Sequence, residues 1–388
     1  MKIQRGRPKR GDRYVYRAGG APKAGAPCPQ EPQAGGGQPA ATAQQRAVQK
    51  AVQRAKNAAP AARPGKARPV GRVFAVLGVS LAGLLVFLVG ASAVLCRGPS
   101  PGARDLFVNT CMETSALKFV PRLFLSDGQI ESIRARNGVL ESGGSTDTDT
   151  EFTPPEQDVP LDTIEIEDVS GPSFKGKMMI VHDPSRLRVA CLDAFDAEAP
   201  GKRLLEFVEQ EQAIAGINGG GFVDLNGVGK GGMPLGIVIK DGKLRAGSLG
   251  GEYSIIGFDQ SDRLIVGTMT GQEAMDRGIR DALSFGPAFI INGEAMDVAG
   301  TGGGLNPRTV IGQRADGAVL LLTIDGRQPQ SLGASYQDCI QVMLDYGAIN
   351  AANLDGGSST QMVYQGETIN VCASLYGPRR LPTAIVVK

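Results

Sequence analysis

The feature that most constrains this chain is a run of 24 residues, Val73 to Cys96, that holds no charged side chain and is bracketed by Arg72 and Arg97. At ~1.5 Å of helical rise per residue, such a run crosses the ~30 Å hydrocarbon core of a bilayer with some tilt. A transmembrane helix is the expectation. A cleaved signal peptide has Ala91-Ser92-Ala93 as small residues to offer, yet both the 72 residues that precede the run and the run itself are too long for such a leader. Leu95 directly before Cys96 also spoils a lipoprotein box.

The span divides the chain electrostatically. A formal charge of +2 over 388 residues is the cancellation of +14 in residues 1–72 against −12 in residues 97–388. The positive-inside rule keeps the basic side in the cytoplasm and puts residues 97–388 outside it, at the cell membrane and single-pass. Residues 1–72 are rich in Gly, Ala, Pro, Gln and Lys/Arg, with Tyr14 and Tyr16 as their aromatics. They bury too little to offset ordering entropy and read as a disordered basic tail, with a helix at Ala41 to Ala59 as the lesser expectation. Beside a span, the charge marks topology and attracts anionic lipid; a nucleic-acid partner is not expected. Oligomeric state is not legible.

Beyond the span, residues 97–140 read as a helical neck, in which Ser126 and Gln129 form a capping box for a helix ending near Arg136. Residues 141–171 hold ten acidic and no basic side chains, with Pro154-Pro155, and read as an extended, self-repelling linker. A calcium site at Asp147 and Asp149 is the sharper alternative, but it lacks an EF-hand glycine and terminal glutamate. Cys111, Cys191, Cys339 and Cys372 permit disulfides without establishing any.

Residues 172–388 read as α+β: a mixed sheet with helices packed on it. Short apolar runs bounded by Gly, Asp and Asn recur, among them Met178–Val181, Leu187–Leu192, Val319–Ile324 and Ala384–Val387. Arg203–Gln210 and Ser335–Tyr346 have helical spacing instead, and Ser335 reads as an N-cap. The second helix lies between two strands and implies a crossover.

Chemistry is restricted by a single histidine, His182, which removes multi-histidine metal centres and reads as a turn residue. Three strand ends concentrate glycine beside polar groups. Asn218-Gly219-Gly220-Gly221 follows one apolar run, and its backbone is free to approach a ligand closely. P-loop spacing is absent there. Asp325-Gly326-Arg327 and Asp355-Gly356-Gly357-Ser358-Ser359 end two further strands around one helix, so the two carboxylates converge on one sheet edge. Paired carboxylates are the minimal equipment for glycosidic cleavage, and Arg308, Arg327 and Arg379 or Arg380 have the bidentate geometry that phosphate prefers.

INGGGF, FGPAFIINGEA, NPRTVIG, TIDGR, NLDGGSST and RRLPTAIVV, in that order from about Met178 to Lys388, resemble the phosphodiester glycosidase family. This is the N-acetylglucosamine-1-phosphodiester α-N-acetylglucosaminidase-like family, which takes in bacterial proteins of exopolysaccharide-biosynthesis type. The resemblance implies hydrolysis of sugar-1-phosphodiesters of cell-envelope or exogenous glycans, with Asp355 as principal carboxylate and Asp325 as second. It implies substrate contacts from Asn218, Gly219, Gly220, Arg308, Arg327, Gly356, Gly357, Ser359 and Arg379. No cofactor and no metal ligand is implied, although a hard divalent cation stays open. Ser358, Val223 and Thr383 stand where the family commonly has Gly, Phe and Asn. The rival expectation is a non-catalytic glycan-binding or polysaccharide-assembly protein.

Overall fold

The structure is a computed structural model and describes residues 43–57, 70–114, 116–140, 144–147, 152–153, 159–224, 229–374 and 377–388. These fall into two units, one within Asp12–Phe87 and the other within Leu88–Lys388.

In the first region α1 (Ala43–Asn57) is a helix, against the preference for a disordered tail. Its Ala, Gln, Lys and Arg residues are strong helix formers, so local propensity writes a helix where no core exists to demand one. Next comes α2 (Val70–Arg97), whose stretch from Val73 is long and apolar enough to cross a membrane. Large side chains from Val73 to Val89 are exposed along it, as a lipid-facing helix requires.

The neck is α3 (Pro101–Met112), α4 (Phe119–Arg122) and α5 (Asp127–Ala135), with the Ser126/Gln129 capping box in place. Val108, Met112, Ile130 and Ile133 form its own small core. Asp105 receives Arg136 at 2.9 Å and Asn137 at 3.0 Å, and these partners hold its carboxyl at about 2.

Three sheets follow. The largest runs β1 (Ile164–Ser170), β2 (Lys175–Val181), β13 (Val319–Ile324), β12 (Arg308–Arg314), β14 (Ala348–Leu354), β10 (Ala288–Ile291), β11 (Glu294–Ala295). A second runs β16 (Glu367–Thr368), β15 (Met362–Tyr364), β4 (Ala215–Asn218), β17 (Thr383–Val387), β3 (Leu187–Cys191). The third runs β6 (Lys243–Ala246), β5 (Val238–Lys240), β9 (Asp281–Ser284), β7 (Glu252–Phe258), β8 (Leu264–Thr270). Helices α6 (Leu204–Gln210), α7 (Gly271–Asp276) and α8 (Tyr336–Asp345) complete the α+β fold.

The continuous apolar runs are explained by burial on both strand faces. Met179, Val181, Leu321, Ile256, Val266, Ile385 and Val387 point into one core shared by the three sheets. Their neighbours Met178, Ile180, Leu320 and Leu322 pack outward under α8. In the same way Ala384 and Val386 pack under α6, and Ile255 and Ile265 under α7. The expected crossover exists, but β12 inserts between β13 and β14, so the two do not pair and the ladders described are antiparallel.

The acidic linker is partly sheet. Residues 164–170 form an edge strand, in which Ile164 and Ile166 face the core while Glu165 meets His182 at 2.9 Å and Glu167 meets Tyr346 at 2.9 Å. Charge on an edge strand blocks further strand addition, and here it disguised the strand as a linker. Upstream, buried Thr146 is bonded to Val266 and Asn350, so this stretch also packs on the domain. Asp149 and Cys28 lie outside the described residues, and the five described cysteines are unpaired.

Leu321 is fully buried where the three sheets meet. Leu321→Ala is expected to destabilise the detergent-solubilised chain by about 3 kcal/mol in denaturant unfolding, since the surrounding strands cannot collapse onto the cavity.

Candidate functional site

Sheet register builds the site. Arg308 opens β12 opposite Ile324 of β13, and Thr309 stands opposite Leu354 of β14. Asp325 and Asp355 therefore leave their strands at the same edge, two strand spacings apart, about 10 Å between backbones.

Asn218 is buried at the end of β4, and its polar atoms are spent on protein. Its Nδ2 donates to the Asp355 carbonyl at 2.6 Å, while its Oδ1 accepts from Thr309 Oγ1 at 2.7 Å and the Gln361 amide at 3.1 Å. These bonds tie two sheets together. Gly219 and Gly220 are likewise buried, and a Cβ on them would come within 2.5 Å of Thr383 Oγ1 and of the Ser284 carbonyl respectively. Their freedom serves close packing of backbone on backbone. Thr383, at the position where the family commonly has Asn, accepts from the Gly220 amide at 3.2 Å.

Arg308 is also committed to protein. It is 3% exposed, its Nε donates to Ala334, its Nη2 to Gly303 and Gly304, and its Nη1 to Glu113 at 2.9 Å, with Tyr336 stacked 4.4 Å from the guanidinium carbon. Glu113 thus covers the one Arg308 nitrogen that the backbone carbonyls leave over. Glu113, at the end of α3, carries no sequence signal, because its partners lie some two hundred residues away.

Arg327 is different. It holds a left-handed φ of 58°, uncommon for a residue with a side chain and characteristic of functional sites. Its Nη2 donates to the Glu113 carbonyl at 3.1 Å and Asn306 at 3.2 Å, while its buried Nε has no partner. Gly357, at φ 62°, lies against this guanidinium, and a Cβ there would stand 3.1 Å from Nη2. Burial depresses the Arg327 pKa, with Asp355 among the charges acting the other way.

Asp355 follows β14 and is partly exposed. Burial pushes its carboxyl up to about 6, against hydrogen bonds from Ser359 and the Gly356 amide and the charge of Arg379. Arg379 is held by Asp224 at 3.0 Å and the Gly229 carbonyl at 3.1 Å, over the Phe222 ring. Asp224 thus belongs to the site, and its only sequence signal is its place two residues after INGGGF. Burial raises its carboxyl, but bonds from Arg379 and the Gly229 amide and the charges of Arg379 and Lys118 outweigh this and leave it lowered.

Asp325 serves a different group of residues. It accepts from Asn370 at 3.3 Å and the Val371 amide at 3.0 Å, its carbonyl accepts from Ser331 at 2.6 Å, and burial raises its pKa. The carboxylates share a sheet edge but have separate surroundings. Asp355, Arg327, Arg379 and Gly356–Gly357 form one constellation, with Ser359 supporting Asp355 from within. Among the described residues no group of three or more His, Cys, Asp or Glu is gathered to hold a metal ion.

Asn218→Ala would leave the Thr309 hydroxyl, the Gln361 amide and the Asp355 carbonyl buried without their partner. An unfolding titration should show a loss of about 2–4 kcal/mol.

Residues 211–388 match the family model described as phosphodiester glycosidase. The chain is 30% identical over 178 residues to the SPbeta prophage-derived uncharacterized protein YomE of Bacillus subtilis, covering 43% of this chain and 27% of that protein. It is 24% identical over 217 residues to mouse N-acetylglucosamine-1-phosphodiester alpha-N-acetylglucosaminidase, covering 50% of this chain and 41% of the mouse protein. It thus spans well under half the length of either curated relative. Among solved structures, the zebrafish N-acetylglucosamine-1-phosphodiester alpha-N-acetylglucosaminidase catalytic domain, auto-inhibited by pro-peptide, superposes with a TM-score of 0.49 at 22% identity, over 62% of this chain and 87% of that one. The NGG, DGR and LDGG elements that meet at this sheet junction all fall in the matched segment, and it is residues 211–388 that are similar to the phosphodiester glycosidase family.

Proposed function

We propose that the chain is a membrane-anchored hydrolase that cleaves the glycosidic bond of sugar-1-phosphodiesters, of the N-acetylglucosamine-1-phosphodiester kind, in cell-envelope or exogenous glycans. The observation that carries this reading is the pairing of a half-buried carboxyl raised to about 6, Asp355, with an arginine, Arg327, whose buried Nε is unpartnered. The anchor is Val73–Arg97, with the basic N-terminal side in the cytoplasm and the domain outside it.

In this mechanism ionised Asp355 activates water, or stabilises positive charge as it develops, at the anomeric carbon. The bond from C1 to the phosphate oxygen breaks, and its electron pair leaves with the phosphomonoester. The water oxygen becomes the C1 hydroxyl, and its proton passes to the Asp355 carboxylate and then to solvent. A phosphomonoester with a second pKa of ~6 leaves without a strong general acid. It needs its charge met, and Arg327 with the Gly356–Gly357 backbone is placed to do that. Arg379 acts on Asp355, and Gly219, Gly220 and Asn218 position its backbone. Asp325 fixes the Val371 segment and the loop that holds Arg327.

The full chain in detergent is expected to release free sugar from a methyl phosphodiester of N-acetylglucosamine. Binding without turnover would support the non-catalytic reading instead. Because Asp355 must be ionised, kcat/KM should rise with pH through an apparent pKa of about 6 and then level off. Asp355→Asn should abolish turnover. The native pKa stands above that of the unfolded chain, so the stability linked to this proton is full below the unfolded value near 3.8 and is lost as pH rises through about 6. Asp355→Asn should therefore be more stable than wild type at pH 8, by roughly 1–2 kcal/mol given the carboxyl's residual solvent contact.

Arg327→Lys keeps the charge but loses the fork. It is expected to cut kcat/KM by about tenfold or more while leaving denaturant unfolding within about 1 kcal/mol of wild type.

A further inference from the structure

The neck carries a surface that the proposed reaction does not use. Leu117, Phe119 and Leu123 are 42%, 60% and 61% exposed, on the loop after α3 and on α4, interleaved with Lys118 and Arg122. The neck's own core of Val108, Met112, Ile130 and Ile133 is complete without them. Three large apolar side chains held outward within seven residues need a partner outside the neck.

Their location selects that partner. Arg97, the last residue of the apolar helix α2, donates through Nε and Nη2 to the carbonyl of Phe124 at 3.1 and 2.9 Å. Leu123 is the residue before that carbonyl. Phe119 and Leu117 lie one and two turns of local structure earlier, with Val120 bonded back to Leu117 and Leu125 back to Pro121. The patch is therefore clamped to the end of the span. Apolar side chains interleaved with Lys118 and with Arg122, which pairs with Asp127 at 3.2 Å, suit the boundary between headgroups and acyl chains.

We propose that Leu117, Phe119 and Leu123 form a second membrane contact, lying in the interface of the bilayer that Val73–Arg97 crosses. The proposal rests on reading that helix as a span. It gives the neck a mechanical role: one element inserted and one lying flat fix the orientation of the domain, where a lone span leaves it free to swing. Glu113 stands four residues before Leu117, at most ~14 Å of chain, and contacts both Arg308 and Arg327. The candidate site is thereby held close to the membrane surface.

The chain has no tryptophan, so one introduced residue reports alone. Full-length Phe119→Trp, Val86→Trp and Leu249→Trp chains would be reconstituted into phosphatidylcholine–phosphatidylglycerol vesicles, with and without lipids brominated along the acyl chain. The expected result for Phe119→Trp is blue-shifted emission that is lost to shallow bromines and spared by aqueous iodide. Val86→Trp should be quenched by deep bromines, and exposed Leu249→Trp by iodide alone. Adding Leu117→Ser and Leu123→Ser to Phe119→Trp should shift its emission red and restore iodide quenching. Val86→Trp quenched by lipid with Phe119→Trp quenched by iodide would overturn the proposal while keeping the span. Neither position quenched by lipid would overturn the span itself, and the proposal with it.

Discussion

The candidate site depends on one buried amide. Asn218 ends a strand of one sheet, and its side chain bonds the Thr309 hydroxyl and the Asp355 carbonyl at the edge of another, and the Gln361 amide beside its own. Asn218, Thr309 and Gln361 are all buried, so losing these bonds costs the desolvation of buried partners rather than the small net value of an exposed hydrogen bond. Glycines 219 and 220 follow because Thr383 of the neighbouring strand and Ser284 of the third sheet approach too closely there for any side chain. The carboxylate of Asp355 is positioned as a consequence, on backbone that three elements hold in place.

That rigidity explains the electrostatics. A carboxyl anchored at a sheet junction keeps only part of its solvent contact, so burial raises its pKa to about 6, and the Ser359 hydroxyl and Arg379 bring it only part of the way back. The arginines divide the remaining work. Arg308 holds the neck through Glu113, Arg379 holds Asp224, and Arg327 lays its guanidinium against Gly357 while its Nε has no partner. The near balance of charge on the domain leaves no broad basic face to gather phosphate, so a few placed donors carry the recognition.

Much of this was legible in the sequence, for identifiable reasons. Apolar runs marked the strands because both faces are buried, and strand-end Asp-Gly motifs marked the sheet edge because turn chemistry is local. Ser126 and Ser335 marked helix starts through the same local logic. What was not legible is long-range. Whether a strand-end polar residue faces ligand or protein depends on the opposite sheet, so the sequence could not show that the Asn218 side chain is bonded to Thr309, Gln361 and Asp355. Arg308 read as a phosphate binder, yet its guanidinium is closed off by a glutamate 195 positions earlier. The β1 edge strand was hidden because its acidic residues read as linker, while the partners of Glu165 and Glu167, His182 and Tyr346, lie far along the chain or across the sheet, and its apolar residues are too few to mark a period.

The central claim, that this site breaks the bond between sugar and phosphate oxygen, is tested most directly by hydrolysing a methyl phosphodiester of N-acetylglucosamine with the full chain in ¹⁸O-labelled water. The account predicts a methyl phosphate product that carries no label, because water attacks the anomeric carbon and the phosphate departs with its own oxygens. Label in the phosphate would show attack at phosphorus and would contradict it.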